Sequence, residues 1–271
     1  MLAGIESVSV SDVSVAQTLL RQAEAAIRRY ADPAWRETGL SLVADALQEL
    51  LARTEAGSDV QLAYAEAFAS AAITPAQLAL LAGLLDGTAT VAGLSIDTEL
   101  RWRLLHRLVS RGAAGEAEIE AELARDATDA GERQAATCRA AIPTAEAKAA
   151  AWDLVVGGTL TNATFRAVLA GFEDLDQLAL LAPFDERYFE VLPRVWREWS
   201  SDMARWFVSY AYPMTDSTSV IAATSDFIAQ NDPPPGLVRL LIEGRDGVRR
   251  ALRCQERDRQ AGAGPAGSGT S

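Results

Sequence analysis

A chain of 271 residues, 49% of them hydrophobic, is long enough to bury a proper core as one large domain or two small ones, which excludes a disordered or fibrous polymer. Its formal charge of −12 argues against a general nucleic-acid binder, whose affinity comes from Lys and Arg neutralising phosphates. No window reaches the roughly 18 to 20 apolar residues of a bilayer span, and no basic region followed by an apolar core opens the chain, so the expectation is a cytoplasmic protein.

Ser7 to Val10 alternate Ser and Val, the only strand-like period, too short and isolated to support a sheet. From Val13 the period becomes helical: Val13, Ala16, Leu19, Leu20, Ala23, Ile27 and Tyr30 share one stripe. Asp32-Pro33 supplies a stop and a restart. The next stripe is Trp35, Leu42, Val43, Ala46, Leu47, Leu50 and Leu51, ending near Gly57. Ser58 caps a helix carrying Leu62, Ala65, Phe68 and Ala72, and Thr74-Pro75-Ala76-Gln77 is a capping box launching Leu78, Leu81, Ala82 and Leu85 toward Gly87. These helices, joined by short turns, must lie largely antiparallel to their neighbours. Gly87 to Gly93 is the candidate break in the pattern.

Asp97 then opens, and Gly112 closes, the amphipathic helix around which the chain is arranged, Glu99 to Val109. Helices follow at 116–125 and 129–141, ended by Pro143, and Thr144 restarts one through Trp152, Val155 and Val156 to Gly157-Gly158. Phe165, Val168, Leu169 and Phe172 form the next stripe, then Leu175, Leu178 and Leu181, stopped by Pro183. The most aromatic part runs from Phe184 to Tyr212, with a kink or a helix boundary expected at Pro193. Val220 to Ile228 make one more helix before Asn231-Asp232-Pro233, and the last carries Leu237, Leu240, Leu241, Val248 and Leu252, interrupted and bent at Gly244 and Gly247. From Ala261 the composition of Gly, Ala and Ser predicts a disordered tail, 261–271. Helix pairs return at roughly 30 to 45 residues, the spacing of HEAT-type hairpins. The fold class expected is all-α: a HEAT-like α-solenoid of antiparallel helix hairpins forming a curved bowl, with a globular helical bundle second.

Motifs for chemistry are sparse. No H-E-x-x-H or calcium-loop spacing occurs, and His106 is the sole histidine. It lies four residues after Trp102 and reads as a hydrogen-bonding core residue. No G-x-S-x-G elbow is present, and Gly83, Gly87 and Gly93 form no phosphate cradle. Cys138 and Cys254, far apart and outside any C-x-x-C spacing, read as two buried thiols. Lys148 is the only lysine, a compositional preference for Arg. Two arginine stripes recur every four residues: Arg103, Arg107 and Arg111, then Arg245, Arg249, Arg253 and Arg257. Solvated faces paired with acids are the first reading. The other is that some point into the concavity and hold a carboxylate bidentately, with Arg249 and Arg253 the candidates for peptide C-termini. Trp196 to Tyr212 read as core, not as a ligand platform.

A set of short motifs adds a resemblance. These are Glu99-Leu100-Arg101-Trp102 with Gly112, Ala151-Trp152, Leu160-Thr161-Asn162, Gly171-Phe172, Gln177, Pro183, Tyr188-Phe189 and Tyr212-Pro213. The closing run Glu243-Gly244-Arg245-Asp246, Arg250-Ala251-Leu252-Arg253, Gln255 and Asp258 completes them, and Gln17 to Gln22 with Tyr30 to Pro33 extends them to the first helices. In this order and spacing they resemble the C-terminal helical domain of bacterial aminopeptidase N, in the actinobacterial branch of the gluzincin aminopeptidases. The resemblance implies a helical bowl over residues 1–260, with any subdivision near 87–96; in the family this domain ends a much longer chain, and here it is expected either as a domain expressed alone or as a piece left by a split or truncated reading frame.

In that family the domain caps a thermolysin-like domain and encloses the chamber where peptides lose N-terminal residues. The family's catalytic H-E-x-x-H, downstream Glu and G-x-M-E-N loop match no position here, so no catalytic residue carries over. The resemblance implies that zinc belongs to the parent's catalytic domain, that the isolated chain is not catalytic, and that its partners are peptides and that domain, with neither nucleic acid nor membrane. The alternative is a free-standing helical-repeat adaptor that binds peptides or proteins.

Overall fold

The computed structural model describes residues 13–215 and 217–262. The Ser7 to Val10 alternation lies outside them, as does the expected tail beyond Gly262; Ala261 and Gly262 are the last residues of a helix. Among the described residues there are helices and turns and no strands. The helices are α1 (Val13–Ala25), α2 (Arg36–Arg53), α3 (Asp59–Ala71), α4 (Pro75–Asp86), α5 (Thr98–Ser110), α6 (Glu116–Arg125) and α7 (Asp129–Ala141). They continue as α8 (Ala145–Val156), α9 (Asn162–Phe172), α10 (Leu178–Leu181), α11 (Phe184–Glu198), α12 (Ser201–Tyr210), α13 (Thr218–Asn231) and α14 (Pro235–Gly262). None is long and apolar enough to cross a membrane.

Local chemistry sets the boundaries. Asp97 accepts from the Leu100 amide at 2.9 Å to open α5, and Gly112 closes it at φ 70°. Thr74 and Gln77 form the expected capping box of α4, and Ser58 and Thr144 cap α3 and α8. α1 runs into a π-helical turn, Ala26–Tyr30, in which the Ala31 amide reaches back five residues to the Ala26 carbonyl at 3.0 Å.

The odd-numbered helices pack in a row, α1 on α3, α3 on α5, α5 on α7 and α7 on α9. The even-numbered ones cover them from outside, α2 on α3, α4 on α5, α6 on α7 and α8 on α9, which makes a solenoid-like stack of hairpins. α11 to α14 then pack on one another, and α14 returns to the π turn. α5 is the middle of the row because it is buried on two sides. Leu100, Leu104 and Leu108 enter one core with Leu47, Phe68 and Leu81, while Trp102, Leu105 and Val109 enter another with Ile119 and Cys138. The first core runs without a break from Leu84 to Leu100 across the 87–96 loop. The third centres on Trp152, Phe165, Tyr188 and Phe207, where the Tyr188 and Phe207 rings stack 5.5 Å apart. Each such large side chain stabilises the fold by about 1.5–3 kcal/mol.

Two expected breaks are absent among the described residues: no helix boundary falls at Pro193 and no interruption at Gly244 or Gly247. α11 continues through Pro193 to Glu198, and the boundary falls at Trp199, with Ser200 capping α12. α14 is likewise uninterrupted at Gly244 and Gly247. These glycines serve close approach: a Cβ on Gly244 would meet the Tyr212 ring at 2.7 Å, and one on Gly247 the Arg29 guanidinium at 3.1 Å. A tighter approach joins α7 and α9, where a Cβ on Gly171 would stand 2.0 Å from the Thr137 carbonyl oxygen. Gly171→Ala should therefore force the two helices apart and cost about 1–3 kcal/mol by urea unfolding. A loss below about 0.5 kcal/mol would show that α9 shifts freely.

Candidate functional site

A cleft of about 500 Å³ opens along the inner row. α5 supplies its floor with Trp102, His106 and Ser110, spaced four apart on one face, and with Arg107 beside them. α3 contributes Glu66, Ala69 and Ser70, α7 Gln134 and Thr137, and the end of α9 Ala170 and Glu173. Small side chains at Ala69, Ser70 and Ala170 keep the groove open where the helices adjoin.

At one end three arginines converge on Asp176, in the short 3-10 turn Leu175–Gln177. Arg28 of the π turn pairs with one carboxylate oxygen, and Arg107 holds the other at 2.8 Å. Arg111 lies 3.9 Å from that second oxygen and 3.5 Å from Glu37. Arg28 also binds Glu24 at 2.8 Å and donates to the Ser70 carbonyl at 2.8 Å, while Arg107 donates to the Ala72 carbonyl at 2.6 Å. Both guanidinium groups thus cap the C-terminal end of α3, the end that favours positive charge. Burial alone would raise the Asp176 carboxyl, but Arg28 and Arg107 outweigh it and hold the group below the usual carboxylate range. One member of the α5 stripe does point inward and hold a carboxylate, and the carboxylate is the chain's own. Arg103 stays at the rim with Glu99 at 2.9 Å and Glu66 at 3.4 Å. The Nη2 of Arg107 is buried without a hydrogen-bond partner among the described residues.

His106 departs from its expected role. It lines the cleft, partly buried, and makes no hydrogen bond to the described residues; the neighbouring Trp102 indole donates instead to Asp126 at 2.9 Å. Burial lowers the His106 pKa, with Asp174 opposing and Arg107, Lys148 and Arg28 reinforcing, so the ring is neutral at pH 7.

Arg249 and Arg253 do not join the cleft. They line a separate open depression on α14 with Ile221 and Asp246, and Arg249 pairs with Asp246 at 3.3 Å. The cysteines differ from each other: Cys138 is buried and its thiol is pushed up to about 12 by burial, whereas Cys254 is exposed, which corrects the expectation of two buried thiols. Within the aromatic stretch Phe207 and Tyr212 are core, while Trp196 and Trp199 border a hollow with Arg205 and Arg239. Lys148 has more than compositional meaning. It is fully buried, and its ammonium donates to the carbonyls of Ala140, Gly171 and Phe172 at 2.8, 3.1 and 3.0 Å.

Among the described residues no three His, Cys, Asp or Glu side chains gather as a metal site requires. The profile of the ERAP1-like C-terminal domain family matches residues 2–250. Aminopeptidase N of Streptomyces lividans is 49% identical over 253 residues, covering 93% of this chain and 30% of that protein. The chain therefore spans less than a third of the length of this relative. With nearly its whole helical row inside the matched segment, the chain belongs to the ERAP1-like C-terminal domain family.

Proposed function

We propose that the chain is the substrate-enclosing C-terminal domain of a cytoplasmic zinc aminopeptidase that releases N-terminal residues from peptides. The zinc and the catalytic groups belong, on this reading, to a domain outside the sequence. The observation that carries it is the polar cleft along the inner row, braced at one end by buried ion pairs, in a chain of this family. A rigid wall of this kind admits extended peptides and excludes folded proteins. Enclosure also orders the substrate and removes water around the reacting bond, effects that lower barriers by several kcal/mol.

The test is reconstitution. The zinc-bearing part of the Streptomyces lividans aminopeptidase, truncated by the segment this chain matches, is assayed with and without the chain. Association with at least a tenfold gain in kcat/KM on peptides, and none on a folded protein with a free N-terminus, is the expected result. No association and no change in kcat/KM would reject the enclosing role, and tight peptide binding by the chain alone would then favour the adaptor.

The peptide-binding role of Arg249 and Arg253 is part of the same proposal. Both lie on the basic last helix, with room around them for a carboxylate. Replacing both with Gln should weaken binding of free-acid peptides more than of their amides, and equal effects on the two would sink the idea.

A further inference from the structure

A smaller cavity, of about 200 Å³, adjoins the cleft, and Glu173 lines both. Its walls include Trp152, Phe172, Phe184 and Tyr212, all buried. Three charged side chains also line it: Arg29 from the π turn, Glu173 from the end of α9 and Asp185 from the start of α11.

These charges are under-used by the protein itself. The only hydrogen bond of the Arg29 guanidinium to the described residues runs to the Met214 sulfur at 3.4 Å, and a thioether is a weak acceptor. The Glu173 carboxyl accepts no hydrogen bond from the described residues. It feels the charge of Arg29 without forming an ion pair with it. One oxygen of Asp185 accepts from the Thr215 hydroxyl at 2.5 Å, which leaves the other available. Burial raises the Glu173 and Asp185 carboxyls above the ordinary range. An arriving ammonium would supply the counter-charge they lack.

A simple amine would be repelled by Arg29, and a simple carboxylate by the two acids. A small zwitterion uses both signs at once. A cavity of about 200 Å³ has room for several waters, which suits a molecule of amino-acid size. We propose that this cavity binds a free α-amino acid with an apolar side chain. Its carboxylate lies on Arg29, its ammonium on Glu173 and Asp185, and its side chain against the aromatic walls. The site goes beyond the enclosing role and does not depend on it.

The experiment titrates the chain with L-leucine, N-acetyl-L-leucine and L-leucinamide, reading heat and thermal unfolding. Arg29→Gln and Asp185→Asn change residues that line this cavity and not the cleft, so they locate the site. L-Leucine should bind saturably, at least tenfold tighter than either blocked derivative, and lose at least tenfold in each variant. Equal binding of all three compounds, no binding of L-leucine at 50 mM, or unchanged affinity in both variants would each overturn the proposal. The comparison of ligands on the unmodified chain decides even where a variant does not fold.

Discussion

Replacing Asp176 with Asn is expected to cost about 3–5 kcal/mol of folding stability, because it leaves two buried cations without their shared anion. The side chains of Arg28 and Arg107 are only 12% and 5% exposed, and Asp176 itself 8%. In the native chain the carboxylate separates two like charges; an amide would neutralise neither and would turn an N–H toward one of them. The measurement is the urea midpoint of Asp176→Asn against the unmodified chain at pH 7, and a loss below about 1 kcal/mol would show that the cluster is solvated. The pH dependence has a definite sign. The folded pKa of Asp176 lies below its unfolded value, so the folded state binds fewer protons there. Its contribution is fully present above about pH 4 and is lost as the pH falls through the folded pKa. The gap between the two proteins should therefore narrow on acidification. Because Arg28 and Arg107 also hold the Ser70 and Ala72 carbonyls, the variant should speed hydrogen exchange at the end of α3 and loosen the adjoining cleft.

Much of the hairpin row was legible in the sequence, since caps and hydrophobic period act over a few residues. Asp97, Thr74, Ser58 and Gly112 each act within a turn of where they stand. What sequence reasoning missed depends on partners far along the chain. Asp176 meets Arg28 from 148 residues away and Arg107 from 69, and no local pattern marks a lone acid in a 3-10 turn as their partner. The two arginine stripes have the same four-residue period, yet the side chain of Arg107 is 5% exposed and that of Arg249 44%. Period sets which residues share a helix face; the neighbouring helices decide whether that face is covered. Gly244 and Gly247 read as interruptions for a related reason, because the groups they make room for, Tyr212 and Arg29, lie outside their own helix.

Lys148→Met is the second large effect, expected at about 3–5 kcal/mol, since three buried carbonyls lose a charged donor at once. Two of those carbonyls end α9 and the third lies in the last turn of α7, where backbone acceptors lack helical partners. Methionine fills much of the same volume, so the loss would report on hydrogen bonding more than on a cavity. A pH series separates the charge from the packing. Burial depresses the Lys148 pKa from 10.5 to about 8, against the opposing pull of Asp174. Above pH 8 the unfolded chain therefore binds more protons than the folded one, and stability rises with pH as the cost of the buried charge is relieved. Relative to Lys148→Met, the unmodified chain should gain about 2 kcal/mol between pH 7 and pH 10, read from urea midpoints at each pH. A difference that stays flat over that range would mean that the ammonium keeps an ordinary pKa, with the three carbonyls compensating fully for its lost water. A large, pH-independent cost of Lys148→Met would then still assign it the joining of α7 to α9, by hydrogen bonds to a charge that the fold solvates as well as water does.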